Sequence, residues 1–191
     1  SPKERETQIC MNDYKYVDLI LGKQCQTKMG RGGIRPLEFK TFSKEMQNAI
    51  TNYCQAGGNF FVSGAYVASD LWDNRLVKAN EEDKKFAMEV LKYKWRVGQA
   101  ARNGKVKSVA SPFPEITGSY TYYQDLNPES YVVESPDALE PAAQGAFTIL
   151  RYSENNLSAG IAYKGNYKTC VLGFPFEAIR TVTERELLMK A

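Results

Sequence analysis

Between Ser43 and Ala56 the apolar side chains Met46, Ala49, Ile50, Tyr53 and Cys54 recur at i, i+3, i+4, i+7 and i+8, the spacing of one helical face. Ser43 stands where an N-cap is wanted, and Gly57-Gly58 can supply the positive φ that ends a helix. The period then changes. Asn59-Phe60-Phe61-Val62-Ser63 is apolar enough for a strand buried on both faces. Gly64-Ala65-Tyr66 follows at that strand's carboxyl end, where open α/β sheets place ligands and many hydrolases place a nucleophile.

Similar patterns predict the remaining elements. Tyr16–Leu21 reads as a first strand ending in Gly22 like a βα turn, and Lys105–Ala110 and Lys168–Leu172 as two more. Ala65–Asn80 reads as a short helix and loop. Asn80 caps an acidic first turn, Glu81-Glu82-Asp83, for a second long helix whose buried face is Phe86, Ala87, Val90 and Leu91. A closing helix starts near Thr181 or Thr183, each with Glu three residues on as a capping box, and Val182, Leu187 and Leu188 pack it down. The four strands are expected in one mainly parallel sheet covered by the helices from Ser43 and Glu81, an α/β fold in three αβα layers. Over residues 118–167 the composition shifts to seven tyrosines, with turns at Asn127-Pro128, Ser135-Pro136-Asp137 and Asn155-Asn156 and the alternating run Ala146–Tyr152. Antiparallel β-hairpins inserted into, or flanking, the α/β core are expected there. Tyr120 and Tyr122 share a strand face, suited to core packing or to stacking on sugar rings.

Composition narrows the chemistry. A chain of 191 residues, 43% hydrophobic and 25% charged, suits a single domain with a sizeable core. Ser1 is not an initiator methionine and Ala191 falls inside a helical pattern, so the expectation is a fragment of a larger multidomain protein. The net charge of +3 is too small to indicate nucleic acid, and no run of about eighteen apolar residues offers a membrane span. There is no histidine, which excludes Cys-His and Ser-His nucleophiles and His-ligated metal sites; no metal or cofactor is expected. Gly30-Arg31-Gly32-Gly33 lacks the Walker ending and runs into Ile34-Arg35-Pro36 instead of a helix, so it reads as a surface loop more than a phosphate loop. Lys84, Lys85, Lys92, Lys94, Arg96, Arg102, Lys105 and Lys107 form a basic stretch, either a solvated face or a site for an anionic polymer. Cys10, Cys25, Cys54 and Cys170 permit two disulfides in three connectivities, or free thiols, with Cys54 and Cys170 inside the core.

Three loops are expected to converge at the carboxyl edge of the sheet: Gly22-Lys23-Gln24-Cys25, Ser63-Gly64-Ala65-Tyr66 and Phe174-Pro175-Phe176-Glu177. Gln24, Cys25, Ser63, Tyr66 and Glu177 are the candidate binding residues there, and no catalytic residue is assigned.

The run from Ala49 to Tyr66, together with Val171-Leu172-Gly173-Phe174-Pro175-Phe176-Glu177, resembles a domain of secreted bacterial proteins labelled xanthan lyases. That domain is similar in fold to the class I glutamine amidotransferases, which are flavodoxin-like. The resemblance covers about Asp13 to Ala191 and implies earlier βα units upstream, a secreted, periplasmic or cell-surface location, and partners that are carbohydrate or other domains of the same chain. The amidotransferases carry a cysteine in the turn that here reads Gly64-Ala65-Tyr66, and a His-x-Glu pair that this chain lacks. Only Cys25 is placed to substitute, so glutaminase chemistry has neither its nucleophile nor its base. Tyrosine-based β-elimination survives the lack of histidine, but lyases of that name resemble large helical toroids joined to β domains. The expectation is therefore a non-catalytic binding or structural module of a secreted polysaccharide-processing protein. The alternative is a hydrolase or lyase acting on a carbohydrate at the sheet edge.

Overall fold

The computed structural model describes residues 10–29, 37–72 and 79–190. Gly30-Arg31-Gly32-Gly33 falls outside these residues, as do residues 73–78 of the Ala65–Asn80 stretch. A first strand, β1 (Tyr16–Ile20), is followed by a small antiparallel pair, β2 (Thr27–Met29) and β3 (Leu37–Phe39). Helix α1 (Lys44–Gln55) begins where Ser43 Oγ accepts from Met46 N at 3.2 Å and buries Ile50, Tyr53 and Cys54. It is followed by Gly57 at φ +90° and β4 (Asn59–Ser63). After α2 (Ser69–Trp72) comes α3 (Glu81–Phe86), capped by Asn80, which runs into a π turn over Ala87–Leu91. Strands β5 (Tyr93–Val97), β6 (Lys105–Ser108), β7 (Ser119–Thr121), β8 (Ala138–Pro141), β9 (Ala146–Tyr152), β10 (Ser158–Lys164) and β11 (Lys168–Leu172) precede α4 (Val182–Met189), which opens with the Thr181–Glu184 capping box.

The four expected strands lie in one seven-stranded sheet of order β1-β4-β11-β10-β9-β6-β7, but the sheet is not mainly parallel. Only β1/β4 and β4/β11 run parallel; β11/β10, β10/β9, β9/β6 and β6/β7 are antiparallel. The three-layer αβα expectation is overturned: the sheet is mixed and curled, with about a quarter of the chain helical. Connection length is the physical reason. Residues 153–157 and 165–167 are all that join β9 to β10 and β10 to β11. Such links permit only hairpins, since a parallel crossover needs a dozen residues or more. The 118–167 segment is accordingly no addition to an α/β core. It supplies β7, β9 and β10 of the main sheet, and β8, which pairs with β5 in a separate ribbon.

Alternation along the strands makes a core on each face. On one, Phe60, Val62, Ile161 and Val171 pack with Ile50, Tyr53 and Cys54 of α1 and with Ala87 and Leu91. On the other, Leu172, Leu150, Tyr152, Val106 and Tyr120 pack with Phe174, Ile179, Val133 and Leu188 of α4. Tyr120 and Tyr122 are both buried here, Tyr122 stacked on Phe174 with ring centroids 5.0 Å apart, so both are packing residues. All four cysteines are free. In the basic stretch Lys84 pairs with Glu81 at 2.8 Å and Arg96 with Glu140 at 3.5 Å, as on a solvated face.

Candidate functional site

The three loops do meet. Beyond the ends of β1 and β4 the backbone contacts continue, with Leu21 N donating to Ser63 O (2.9 Å), Ala65 N to Gly22 O (2.9 Å) and Gly64 N to Leu172 O (3.3 Å). Ser63 is fully buried, and its hydroxyl accepts from Phe176 N at 3.2 Å, at the start of the short 3-10 turn Phe176–Ala178. The hydroxyl thus fastens the third loop to the middle strand and is closed to solvent.

Glu177 Oε1 accepts from the Tyr131 hydroxyl at 2.5 Å, while Oε2 is buried without a partner among the described residues. Gly22 lies against this pair at φ +58°; a Cβ there would sit 3.0 Å from Oε1 and 3.2 Å from the Tyr131 hydroxyl. Glycine is needed both for that φ and for the close approach. Lys23 Nζ meets Glu134 at 2.6 Å and stands 5.6 Å from the Tyr131 ring centroid. The ammonium holds the Glu134 carboxyl below its ordinary value. Tyr66 is half-buried, with Ser135 as a hydrogen-bonding neighbour, and burial raises its phenol. Gln24 is exposed; its backbone N donates to Leu21 O at 2.9 Å and its carbonyl accepts from Thr41 Oγ1 at 3.2 Å. Cys25 is half-buried, and burial followed by the Asp70 charge pushes its thiol up, away from the thiolate needed for attack.

The edge is closed by residues that sequence reasoning treated only as a turn. Asp137, fully buried, fixes this segment. Its Oδ2 accepts from Ala68 N (2.8 Å), Ser69 N (2.8 Å) and the Ser69 hydroxyl (3.1 Å). Its own N donates to Gly173 O at 2.7 Å and its carbonyl accepts from the Tyr152 hydroxyl at 2.7 Å. Burial pushes its carboxyl up to about 7, against the opposing pull of the donors at Oδ2. Ser-Pro-Asp is an ordinary turn signal, and nothing local marks this aspartate or Tyr131 as part of the edge.

Chemically the edge offers little. Burial and donation to Glu177 both push the Tyr131 phenol far above its ordinary value, so it stays protonated at neutral pH. Among the described residues no group of three acidic or cysteine side chains is placed to hold a metal ion.

No family model and no curated protein matches the sequence. Among solved structures the chain is similar to a cold-adapted β-galactosidase from Rahnella sp. R3, with TM-score 0.53 and 12% identity over 96% of this chain and 23% of that one. It is also similar to Gan42B, a GH42 β-galactosidase, with TM-score 0.53 and 11% identity over 95% of this chain and 22% of that one. This chain therefore spans less than a quarter of the length of either. At these identities the likeness is one of fold. An exo-β-1,4-mannosidase from Opitutaceae bacterium strain TAV5 lies at TM-score 0.42, with 11% identity over 78% of this chain and 20% of that one, too far to add to the argument.

Proposed function

We propose that the chain is a non-catalytic structural module of a larger carbohydrate-processing protein. The observation that carries this reading is the closure of the sheet edge on itself: Ser63 binds Phe176, Glu177 holds Tyr131, and Lys23 meets Glu134. A hydroxyl or thiol becomes a useful nucleophile through an adjacent base or a lowered pKa. Here Ser63 is fully buried, the Cys25 thiol is pushed upward, and the chain has no histidine. The carbohydrate setting is supported by the fold likeness to part of two β-galactosidases, each more than four times as long as the matched portion. The xanthan-lyase and amidotransferase expectation has no counterpart among these structures and is not extended to activity.

One observation favours a second reading. Glu177 has a spare buried carboxylate oxygen and donates no proton itself but holds the Tyr131 hydroxyl, an acid and hydroxyl pair of the kind hydrolysis uses. The purified chain is expected to release no nitrophenol from p-nitrophenyl β-galactoside. Tyr131→Phe and Glu177→Gln should lower stability with a coupling of about 1–3 kcal/mol in a double-mutant cycle. Turnover that disappears with Glu177→Gln would overturn the structural reading in favour of the hydrolase.

A further inference from the structure

One face of the parallel strands is only partly covered. Register places Tyr16, Asp18 and Ile20 of β1 on the same side as Asn59, Phe61 and Ser63 of β4 and Lys168, Cys170 and Leu172 of β11. On β4 and β11 this side is closed at the carboxyl end, Ser63 and Leu172 being fully buried. Toward the edge strand β1 the cover gives out: among the described residues Tyr16 is 65% exposed and Ile20 50%, while Phe61, edge-on to Phe176 with ring centroids 5.7 Å apart, and Cys170 are half-buried. The strip continues across Ala162 of β10 to Phe147 of β9, which is 40% exposed. The opposite face is packed by α1 and the π turn. Parallel strands are ordinarily covered on both faces.

Three charges stand on this side: Asp18, Lys168 and, directly across from Lys168 on β10, Lys164. Neither the Asp18 carboxylate nor the Lys168 ammonium has a hydrogen bond or ion pair among the described residues, and burial by its neighbours pushes the Asp18 carboxyl up. The two lie two strands and one pair-step apart, about 12 Å, too far to meet within one chain. They can meet between chains. A two-fold rotation laying the face on itself, with its axis crossing β4 between Asn59 and Phe61, carries each aspartate onto the other copy's lysine.

We propose that this face is a self-complementary contact between two copies of the chain, with Asp18 of each meeting Lys168 of the partner subunit and the two Phe61 rings packed near the two-fold axis. The strip covers on the order of 300 Å², below the roughly 800 Å² per partner of a standard interface. The dimer is therefore a reversible one that forms as concentration rises.

Sedimentation equilibrium of the full chain across the micromolar to near-millimolar range tests this. The expected result is a monomer–dimer equilibrium weakened about tenfold or more by either Asp18→Lys or Lys168→Glu, each of which sets like charges face to face. The double variant D18K/K168E, which restores opposite charges with their positions exchanged, should recover the wild-type dissociation constant to within about threefold. Four results would overturn the proposal: a monomer at every concentration, a closed oligomer other than a dimer, a dimer indifferent to both reversals, or a double variant no tighter than the singles. Both side chains are exposed, so circular dichroism of the variants should remain that of the wild type.

Discussion

Asp137 is where the fold is most exposed to a single proton. Its carboxyl moves from an ordinary 3.8 to about 7 on burial, so the folded chain holds that proton about 4 kcal/mol more tightly than the unfolded chain does. Because the folded pKa is the higher one, the contribution is fully present below about pH 4 and is lost as pH rises through about 7. Asp137→Asn keeps an oxygen for the amides of Ala68 and Ser69 and removes the titration. Other carboxylates add their own pH dependence: Glu134, held low by Lys23, adds stability as pH rises, whereas Asp18 and Asp70, raised by burial, lose it. Comparing wild type with the variant cancels them. Urea unfolding from about pH 4 to about pH 8 should show the variant gaining on the wild type, on the order of 4 kcal/mol across the window. Parallel profiles for the two proteins would refute the argument, because they would mean that Asp137 titrates alike in both states.

Two other expectations concern close packing. In Gly173→Ala the new Cβ would fall 2.0 Å from the Asp137 carbonyl oxygen, a backbone atom that cannot swing aside, so a loss of about 3 kcal/mol is expected in thermal unfolding; an unchanged melting temperature would contradict the placement of that segment. Burial pushes the Cys54 and Cys170 thiols to about 12, whereas Cys10 is exposed. A disulfide-exchange reagent should therefore modify Cys10 first and reach all four thiols only after denaturation, and native labelling of Cys54 as fast as Cys10 would show the core to be more open than this.

Much of the local structure was readable from the residues. The helix after Ser43, the strand from Asn59 to Ser63 and the last strand from Lys168 to Leu172 fall where periodicity and capping put them. The convergence of the Gly22, Ser63 and Phe174 loops was readable too, since it follows from β1, β4 and β11 running parallel. The direction of the other strands was not. Ala146–Tyr152 alternates as a strand should, yet alternation does not say whether a strand joins the main sheet or a separate hairpin. The short links on either side of Ser158–Lys164 carry that information, since neither is long enough for a parallel crossover.

What the sequence by itself determines here is local: where helices start and stop, which stretches are strands, and which catalytic systems the absence of histidine excludes. Caps, periodicity and glycine φ act within a turn or two of chain, so they leave their mark in neighbouring residues. Only the tertiary structure decides what faces what. Tyr131 meets Glu177 across 46 positions and Asp137 meets Ser69 across 68. Those contacts turn an apparent ligand edge into a closed junction. Burial then sets the protonation of Asp137 and Tyr131, because the cost of charge depends on what surrounds a group once the chain has folded over it.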